Sequence, residues 1–205
     1  ADNAPDSSGR LEGHVMAGTE QDGFIGGTPG FVHLRVHSAY SLLEGALPLK
    51  KILYKASGDS QPAIAITDTN NLFVALEFAQ KAMDDGVQPI IGCQVSIDME
   101  DGLETDRRGG QQALVKLPSI VLLSATDAGY ERLVDLISRA YLGGEGGGQS
   151  VHIRSSWLDE IGTEGLIALT GASTGPIDMA LKDGHGAQAE ARLLSLKRRF
   201  GDRLY

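Results

Sequence analysis

The amino-acid sequence predicts an α/β fold made of successive βα units around a largely parallel sheet. After Gly30, short runs rich in Ile, Val, Leu and Ala alternate with segments whose apolar residues recur at helical spacing. The chain has 205 residues, of which 41% are hydrophobic, so it can bury one sizeable core. These observations indicate one domain or a piece of a larger protein.

Five short apolar runs are the predicted strands. They cover residues 31–37, 62–68, 89–97, 119–125 and 165–171. The last residues, GDRLY, predict the start of a further strand. We therefore expect the sheet or barrel to be incomplete within this chain, as the front part of a longer protein would be.

Three segments show the apolar spacing of an amphipathic helix. The first has apolar residues at helical spacing, ends at Gly86, and contains Leu72, Ala75, Leu76, Ala79 and Met83. The second covers residues 130–142, with Leu133, Leu136, Ile137 and Ala140 inward. The third covers residues 187–200, with Ala189, Leu193, Leu196 and Phe200 inward. Trp157 is the predicted packing anchor of a fourth, short helix.

Three segments lack any apolar period. Residues 1–30 are rich in Gly, Asp, Ser and Thr, which predicts a flexible arm ahead of a domain over residues 31–205. Residues 99–112 and 143–149 are predicted solvent loops. The glycine run 143–149 lacks the Lys-Ser/Thr ending of a phosphate-binding loop, which favours a linker.

Charge and cysteine content exclude several classes of protein. The net charge of −9 and pI near 5.0 predict weak affinity for nucleic acid, because that affinity depends mainly on basic groups. A single cysteine, Cys93, excludes an internal disulfide and a multi-cysteine zinc site. The sequence contains no run of eighteen apolar residues and no signal-peptide pattern, so we expect a cytoplasmic location and no membrane partner.

Candidate metal ligands lie at the predicted strand ends, where α/β barrels gather their chemistry. His37 and Asp68 are suitable ligand types, and Glu44 is a third candidate. A hydrolytic metal centre needs more ligands, and a lone histidine is more often a hydrogen-bonded structural group. Alternation along a strand would put His33, Arg35 and His37 on one face, where the guanidinium would repel a cation. No Gly-x-Ser-x-Gly motif or Ser-His-Asp set is present.

Four ordered blocks of sequence carry a family resemblance. The blocks are HLRVHSAYSLLEGA, AIAITDTNNLFVALEFAQKAMDDGVQPIIGCQV, IVLLSATDAGYERLVDLISRAYL and GLIALTGASTGPI. Together they resemble the N-terminal PHP (polymerase and histidinol phosphatase) domain of bacterial replicative DNA polymerase III alpha subunits. The resemblance covers residues 31–205 and implies a distorted (βα) barrel, truncated at its C-terminal end.

The resemblance also implies a metal site whose ligands have been replaced. Intact family members carry His-x-His, Thr-Asp-His, Gly-x-x-Glu, a further histidine and a cysteine at successive strands, with an acid in the first turn. The matching positions here are Arg35, His37, Glu44, Asp68, Thr69, Gln94, Ser119 and Ala172. We expect no bound metal and no catalytic or substrate-binding residue in this chain. A bidentate ion pair from Arg35 to Asp68 or Glu44 is the predicted replacement for the metal.

Two functions follow from the resemblance. The first is a non-catalytic platform at the front of a DNA-directed DNA polymerase, a nucleotidyltransferase of DNA replication. Such a platform braces the polymerase and contacts the proofreading exonuclease and other replicase subunits, while Mg²⁺ and DNA bind outside this segment. The alternative is an active metal-dependent phosphoesterase or 3'-5' exonuclease. The ligand count favours the platform.

Overall fold

The structure is a computed structural model that describes residues 30–102, 117–143 and 151–205. The predicted arm up to residue 29, residues 103–112 of the first predicted loop and residues 144–149 of the glycine run lie outside the described residues. The arm and its boundary with the domain therefore stay predictions.

The described residues form six helices and five strands. The helices are α1 (Leu49–Gly58), α2 (Ala75–Asp84), α3 (Asp127–Leu142), α4 (Trp157–Ile161), α5 (Pro176–Lys182) and α6 (Gly186–Phe200). The strands are β1 (Ala63–Ile66), β2 (Gln88–Asp98), β3 (Ser119–Ser124), β4 (Ile153–Arg154) and β5 (Leu166–Leu169). Short 3₁₀ helices cover Ala172–Thr174 and Gly201–Arg203. No helix in the described ranges is long and apolar enough to cross a membrane.

The sheet is mixed, so the expectation of a largely parallel sheet is wrong. Its strand order is β1-β2-β3-β5, and β4 also pairs with the end of β2. β1 and β2 are parallel, whereas β3 runs antiparallel to both β2 and β5. A parallel step usually needs a crossover helix, and the sequence between β2 and β3 has no helical period. An antiparallel return is the arrangement compatible with that segment.

The first predicted strand, 31–37, is extended but pairs irregularly with β1. Its backbone bonds to β1 and to the residue that follows β1 run from Ala65 N to His33 O and from Thr67 N to Val36 O, each 2.8 Å long. The step of three residues from His33 to Val36 therefore lies opposite a step of two residues from Ala65 to Thr67. The Thr67 hydroxyl also accepts from the backbone N–H of Val36 and donates to its carbonyl. Strict alternation fails here, and the exposed His33 ring lies edge-on to Phe31.

Two main apolar clusters fill the space between the sheet and the helices. One joins β2, β3 and β5 to α3, α4 and α6, and the other joins β1 to α1 and α2. The four residues predicted to face inward on α3 are all buried, as is Trp157 at the start of α4. Of the last residues, predicted to start a strand, Gly201–Arg203 form a 3₁₀ helix, and only Leu204 and Tyr205 pair with β5 and Thr170 in the extended manner.

Helix α2 buries a face shifted from the predicted one, whereas α6 buries Ala189, Leu196 and Phe200 as predicted and departs from the prediction at Leu193 alone. On α2, Phe78 and Ala82 are buried while Leu76 is 72% and Met83 63% exposed. On α6, Leu193 is 42% exposed and its neighbour Arg192 is buried instead. The Arg192 guanidinium can be buried because it donates to the Asp101 carboxylate and to Pro176 O.

Candidate functional site

Asp68 follows β1 and is 2% exposed, yet both of its oxygens are already hydrogen-bonded. Oδ1 accepts from Ser38 N (2.7 Å) and Ser41 Oγ (2.6 Å), and Oδ2 accepts from Ser38 Oγ (2.6 Å). Ser41 Oγ in turn accepts from Thr69 N at 3.0 Å. The carboxylate therefore fastens the turn that follows residues 31–37, and its bonded oxygens point at the two serines.

The next four site positions form a continuous chain of polar contacts. His37 Nδ1 lies 3.5 Å from Glu44 Oε2, which accepts from Thr69 Oγ1 at 2.5 Å. Gln94 Nε2 lies 3.4 Å from Thr69 Oγ1, which accepts its hydrogen bond. The structure thus brings the predicted positions on the first turn, on β2 and after β1 into one group.

Arg35 extends these contacts to the turn that follows β5. Its Nε donates to Gln94 Oε1 (2.9 Å), its Nη1 to Gly171 O (3.1 Å) and its Nη2 to Thr174 Oγ1 (3.1 Å). Thr174 Oγ1 also lies 3.1 Å from Ser119 Oγ. We call this set the Arg35 network: Arg35, His37, Glu44, Thr69, Gln94, Ser119 and Thr174.

The predicted ion pair from Arg35 to Asp68 or Glu44 is wrong. Asp68 is turned toward Ser38 and Ser41, and Glu44 is bonded to Thr69 and close to His37. The guanidinium instead meets neutral oxygens, one from an amide, one from a carbonyl and one from a hydroxyl. Arg35 is therefore a cross-link between three chain segments and does not neutralise a carboxylate.

Ala172, which the sequence comparison above matched to a metal-binding cysteine, is exposed and offers no donor atom. It lies in the turn that gives Arg35 its carbonyl partner. The preceding Gly171 has φ +84°, and a Cβ there would lie 2.0 Å from Ser119 O. Only glycine fits this close approach, which holds the turn against β3.

The residues present do not fit a metal centre. Within the described parts of the chain, no group of three or more His, Cys, Asp or Glu side chains is arranged to hold an ion. His37 Nε2 is buried without a hydrogen-bond partner there, but one open imidazole nitrogen falls short of the three or four protein ligands that zinc needs. A guanidinium in the same network adds a fixed positive charge.

Several contributing residues were not predicted from the sequence. Cys93 Sγ lies 3.1 Å from Asp68 O, and burial raises the pKa of this thiol to about 12, so it is neither a nucleophile nor a ready ligand. Ser41 and Thr174 complete the site through their hydroxyl groups. Hydroxyl residues in turns beside a buried acid are the sequence signal that could have found Ser41.

A family model for the PHP domain matches residues 33–205. The chain belongs to the PHP domain family. This assignment, together with the mixed sheet flanked by helices, confirms the predicted α/β fold class and the resemblance. The PHP positions inferred from the sequence are those joined by the Arg35 network, apart from Asp68 and Ala172.

Similar proteins share most of this PHP domain. The chain is 41% identical over 176 residues to the DNA polymerase III subunit alpha of Caulobacter vibrioides, covering 86% of this chain and 15% of that protein. It is 33% identical over 177 residues to the same subunit of Escherichia coli K12, covering 86% and 14%. The chain thus spans about one seventh of the length of the curated relatives it matches.

One solved structure of similar fold is an amidohydrolase from Chromobacterium violaceum. It is 21% identical, covers 56% of this chain and 34% of that one, and has a TM-score of 0.41. A likeness of this size has no bearing on the function of the PHP domain described here.

Proposed function

We propose that this chain is the PHP domain of a replicative DNA polymerase alpha subunit and acts as a non-catalytic platform. In this proposal it braces the polymerase and docks the proofreading exonuclease subunit. Nucleotidyl transfer, its Mg²⁺ and the DNA contacts then belong to parts of the polypeptide outside residues 1–205. The names of the similar proteins support the polymerase assignment.

The observation that supports a non-catalytic role is the Arg35 network. A metal centre joins several strand ends through one cation drawn from solvent. Here a guanidinium joins residue 35 to β2 and to the turn after β5. Because this cation is part of the chain, the connection does not depend on a metal ion from solvent. The three partners of Arg35 are neutral, so they offer no negative charge to a divalent ion.

The alternative, an active metal-dependent phosphoesterase or 3'-5' exonuclease, has one feature in its favour. His37 has a buried nitrogen without a partner in the described residues, next to Glu44. Two side chains do not clamp a phosphate and activate a water as hydrolytic metal centres do. The number of surviving ligands therefore favours the platform.

Calorimetric titration of the chain with Zn²⁺ and Mn²⁺ tests the proposal. We expect no stoichiometric binding and no rise of the melting temperature with either ion. The variant carrying Arg35→His, Thr69→His, Gln94→Glu and Ser119→His together should gain measurable binding. Tight stoichiometric binding to the unaltered chain that His37→Ala abolishes would establish the alternative.

The polymerase and docking parts need separate measurements. Primer extension by the full-length polypeptide with Mg²⁺ tests the polymerase assignment. We expect primer extension by the unaltered full-length polypeptide, without any of the four ligand-restoring substitutions. Co-elution of the chain with the exonuclease subunit in size-exclusion chromatography tests docking. Failure of co-elution would remove the docking role and leave the polymerase assignment intact.

A further inference from the structure

Helix α1 presents a basic face to solvent. Its apolar residues pack with β1 and α2 in one of the two main clusters. The opposite side of the helix carries four exposed residues, Lys50, Lys51, Tyr54 and Lys55. Because each residue turns the helix by about 100°, these four positions fall within about 140° of its circumference. We call this surface the lysine face.

The lysine face has no ion-pair partner among the described residues. Within the described part of the chain, its three ammonium groups form neither a salt bridge nor a hydrogen bond, whereas Lys81 on α2 pairs with Glu77. No acidic residue occurs between positions 45 and 58, although the chain as a whole has a net charge of −9. Lys51 and Lys55 are four residues apart, so their charges repel one another. An acidic partner would therefore stabilise this surface.

An acidic segment of the chain precedes the described residues close to this helix. Residues 1–29 contain five acidic residues and one arginine, so their formal net charge is −4. They lead into Gly30, where a Cβ would lie 3.8 Å from both Ser60 O and the Pro62 ring. Ser60 comes directly after the C-cap of α1, and Lys55 lies in the last turn of that helix. The segment therefore joins the domain beside one end of the lysine face.

We infer that the acidic segment of residues 1–29 docks on the lysine face. Glu20 and Asp22 precede Gly30 by ten and eight residues. Such lengths span up to roughly 26–33 Å when extended, and α1 is about 15 Å long, so both carboxylates can reach all three lysines. The family model begins at residue 33, which makes this contact a feature of the present chain beyond its PHP domain. It is independent of the proposed function.

A tethered segment suits the lysine face better than a separate partner does. Exposed ion pairs contribute about 0–1 kcal/mol each, so a few of them hold two separate molecules together only weakly. Tethering gives the segment an effective concentration of about millimolar, at which a weak contact is populated. A phosphate backbone is less suitable, because the net charge of −9 repels it. The contact should weaken as salt rises, since salt screens exposed charges.

Paramagnetic relaxation in the chain of residues 1–205 tests the docking. Thr19→Cys places a nitroxide label beside Glu20, and the buried Cys93 escapes labelling. At ~50 mM salt we expect the label to broaden the amide signals of residues 50–55, and at ~500 mM salt we expect this broadening to be lost. Residues 197–200 at the end of α6 are the control, because they are also basic and pack in the other main cluster. Their signals should stay sharp.

Removing the positive charges should abolish the contact. The variant carrying Lys50→Gln, Lys51→Gln and Lys55→Gln together should lose the broadening of α1 at low salt. The three side chains are exposed, so we expect these changes to leave the fold intact. A thermal melt of the variant checks this.

Lysine acetylation gives an independent readout. Glu20→Gln together with Asp22→Asn removes two of the opposing charges. A contact of millimolar affinity at a millimolar effective concentration covers about half of the molecules, so acetylation of the lysine face should become about twofold faster in this variant. An N-hydroxysuccinimide ester supplies the acetyl group, and peptide mass spectrometry measures the rate at each lysine. Lys197 on α6 is the control, and its rate should not change.

Four results would overturn the inference. The first is equal broadening of α1 and α6, and the second is broadening of α1 that survives the three lysine substitutions. The third is broadening of an isotope-labelled chain by an added nitroxide-labelled chain, which would assign the lysine face to a second copy. The fourth is a shift of the signals of residues 50–55 on addition of micromolar duplex DNA, which would assign it to nucleic acid.

Discussion

Arg35 uses three nitrogens of one guanidinium to reach three different partners. Because Arg35 is an exposed residue whose bonds are partly buried or exposed, water can replace part of each bond, so we expect Arg35→Ala to lower the free energy of unfolding by about 1–2 kcal/mol. This is less than the cost of breaking a buried ion pair. Arg35→Lys should recover less than half of the loss, since one ammonium cannot span the same three acceptors. Urea denaturation measures both, and full recovery by lysine would contradict the cross-link.

The structure joins most of the positions singled out from the sequence, but the partner of each was not predictable. The motif positions follow from sequence order alone. The partner of Arg35 depends on the irregular pairing between 31–37 and β1, which changes the directions of the side chains. The orientation of Asp68 depends on the hydroxyls of Ser38 and Ser41, whereas the sequence predicted Arg35 as a partner for Asp68 or Glu44.

Helix α2 shows why a helical period does not by itself identify the buried face. Its sequence offers two apolar stripes, one through Leu76 and Met83 and one through Ala75, Phe78 and Ala82. The second stripe packs against β1 and α1, because it places the phenylalanine in the core. On α6 an ion pair allowed a charged residue into the core, which an apolar period does not predict.

We expect the two stripes of α2 to differ sharply in their contribution to stability. Phe78→Ala should lower the free energy of unfolding by about 3–5 kcal/mol, because it leaves a cavity in a fully buried site. Leu76→Ala, on the exposed stripe of the same helix, should change it by no more than about 0.5 kcal/mol. Chemical denaturation of both variants makes the comparison. Similar losses would mean that the buried face is assigned wrongly.

The connection between the end of β2 and α4 should be sensitive to acid. Burial alone would raise the pKa of Glu100, but hydrogen bonds from the Ser156 N–H and hydroxyl and the Ser155 hydroxyl, with the charge of Arg154, outweigh it and lower that pKa. A lowered folded-state pKa means that the stabilisation is present above the unfolded-state value and is lost as pH falls through the folded-state value.

Glu100→Gln should therefore flatten the acid limb of the stability profile. We expect the unaltered chain to lose more stability than this variant between pH about 5 and pH about 3, around the ordinary pKa of glutamate. Thermal melts across that range give the comparison, with Glu164→Gln as the control because Glu164 is largely exposed. Parallel profiles for all three proteins would rule out this role for Glu100.

The chain as a whole carries a net charge of −9, which opposes binding to a phosphate backbone. We expect its dissociation constant for duplex DNA to be larger than about 100 μM at ~150 mM salt, where non-specific complexes are weak. Fluorescence anisotropy with labelled duplex measures it. Submicromolar binding under these conditions would contradict the proposal that DNA contacts lie outside this segment.

The fold class and family could be identified from the sequence because both depend on features spread over the whole chain. A wrong assignment at one element changes neither the apolar periodicity of the other elements nor the order of the four motifs. Strand direction did not follow from them, because a buried apolar run such as β3 has the same appearance whichever way it points. The direction is set by the connections, and β3 is reached through a segment without helical period.

The reach of Arg35 along the chain has a kinetic consequence. Its partners Gly171 and Thr174 lie 136 and 139 residues away in sequence, so the cross-link closes a very long loop. Because the loop-closure entropy of such a contact must be offset before the contact contributes, we expect this cross-link to form after the folding transition state. Arg35→Ala should therefore accelerate unfolding by roughly 5–30-fold, the factor that corresponds to 1–2 kcal/mol, with little effect on the folding rate. Stopped-flow measurement of the folding and unfolding rates of both proteins would show this difference. Arg35 would then slow the unfolding of the native state.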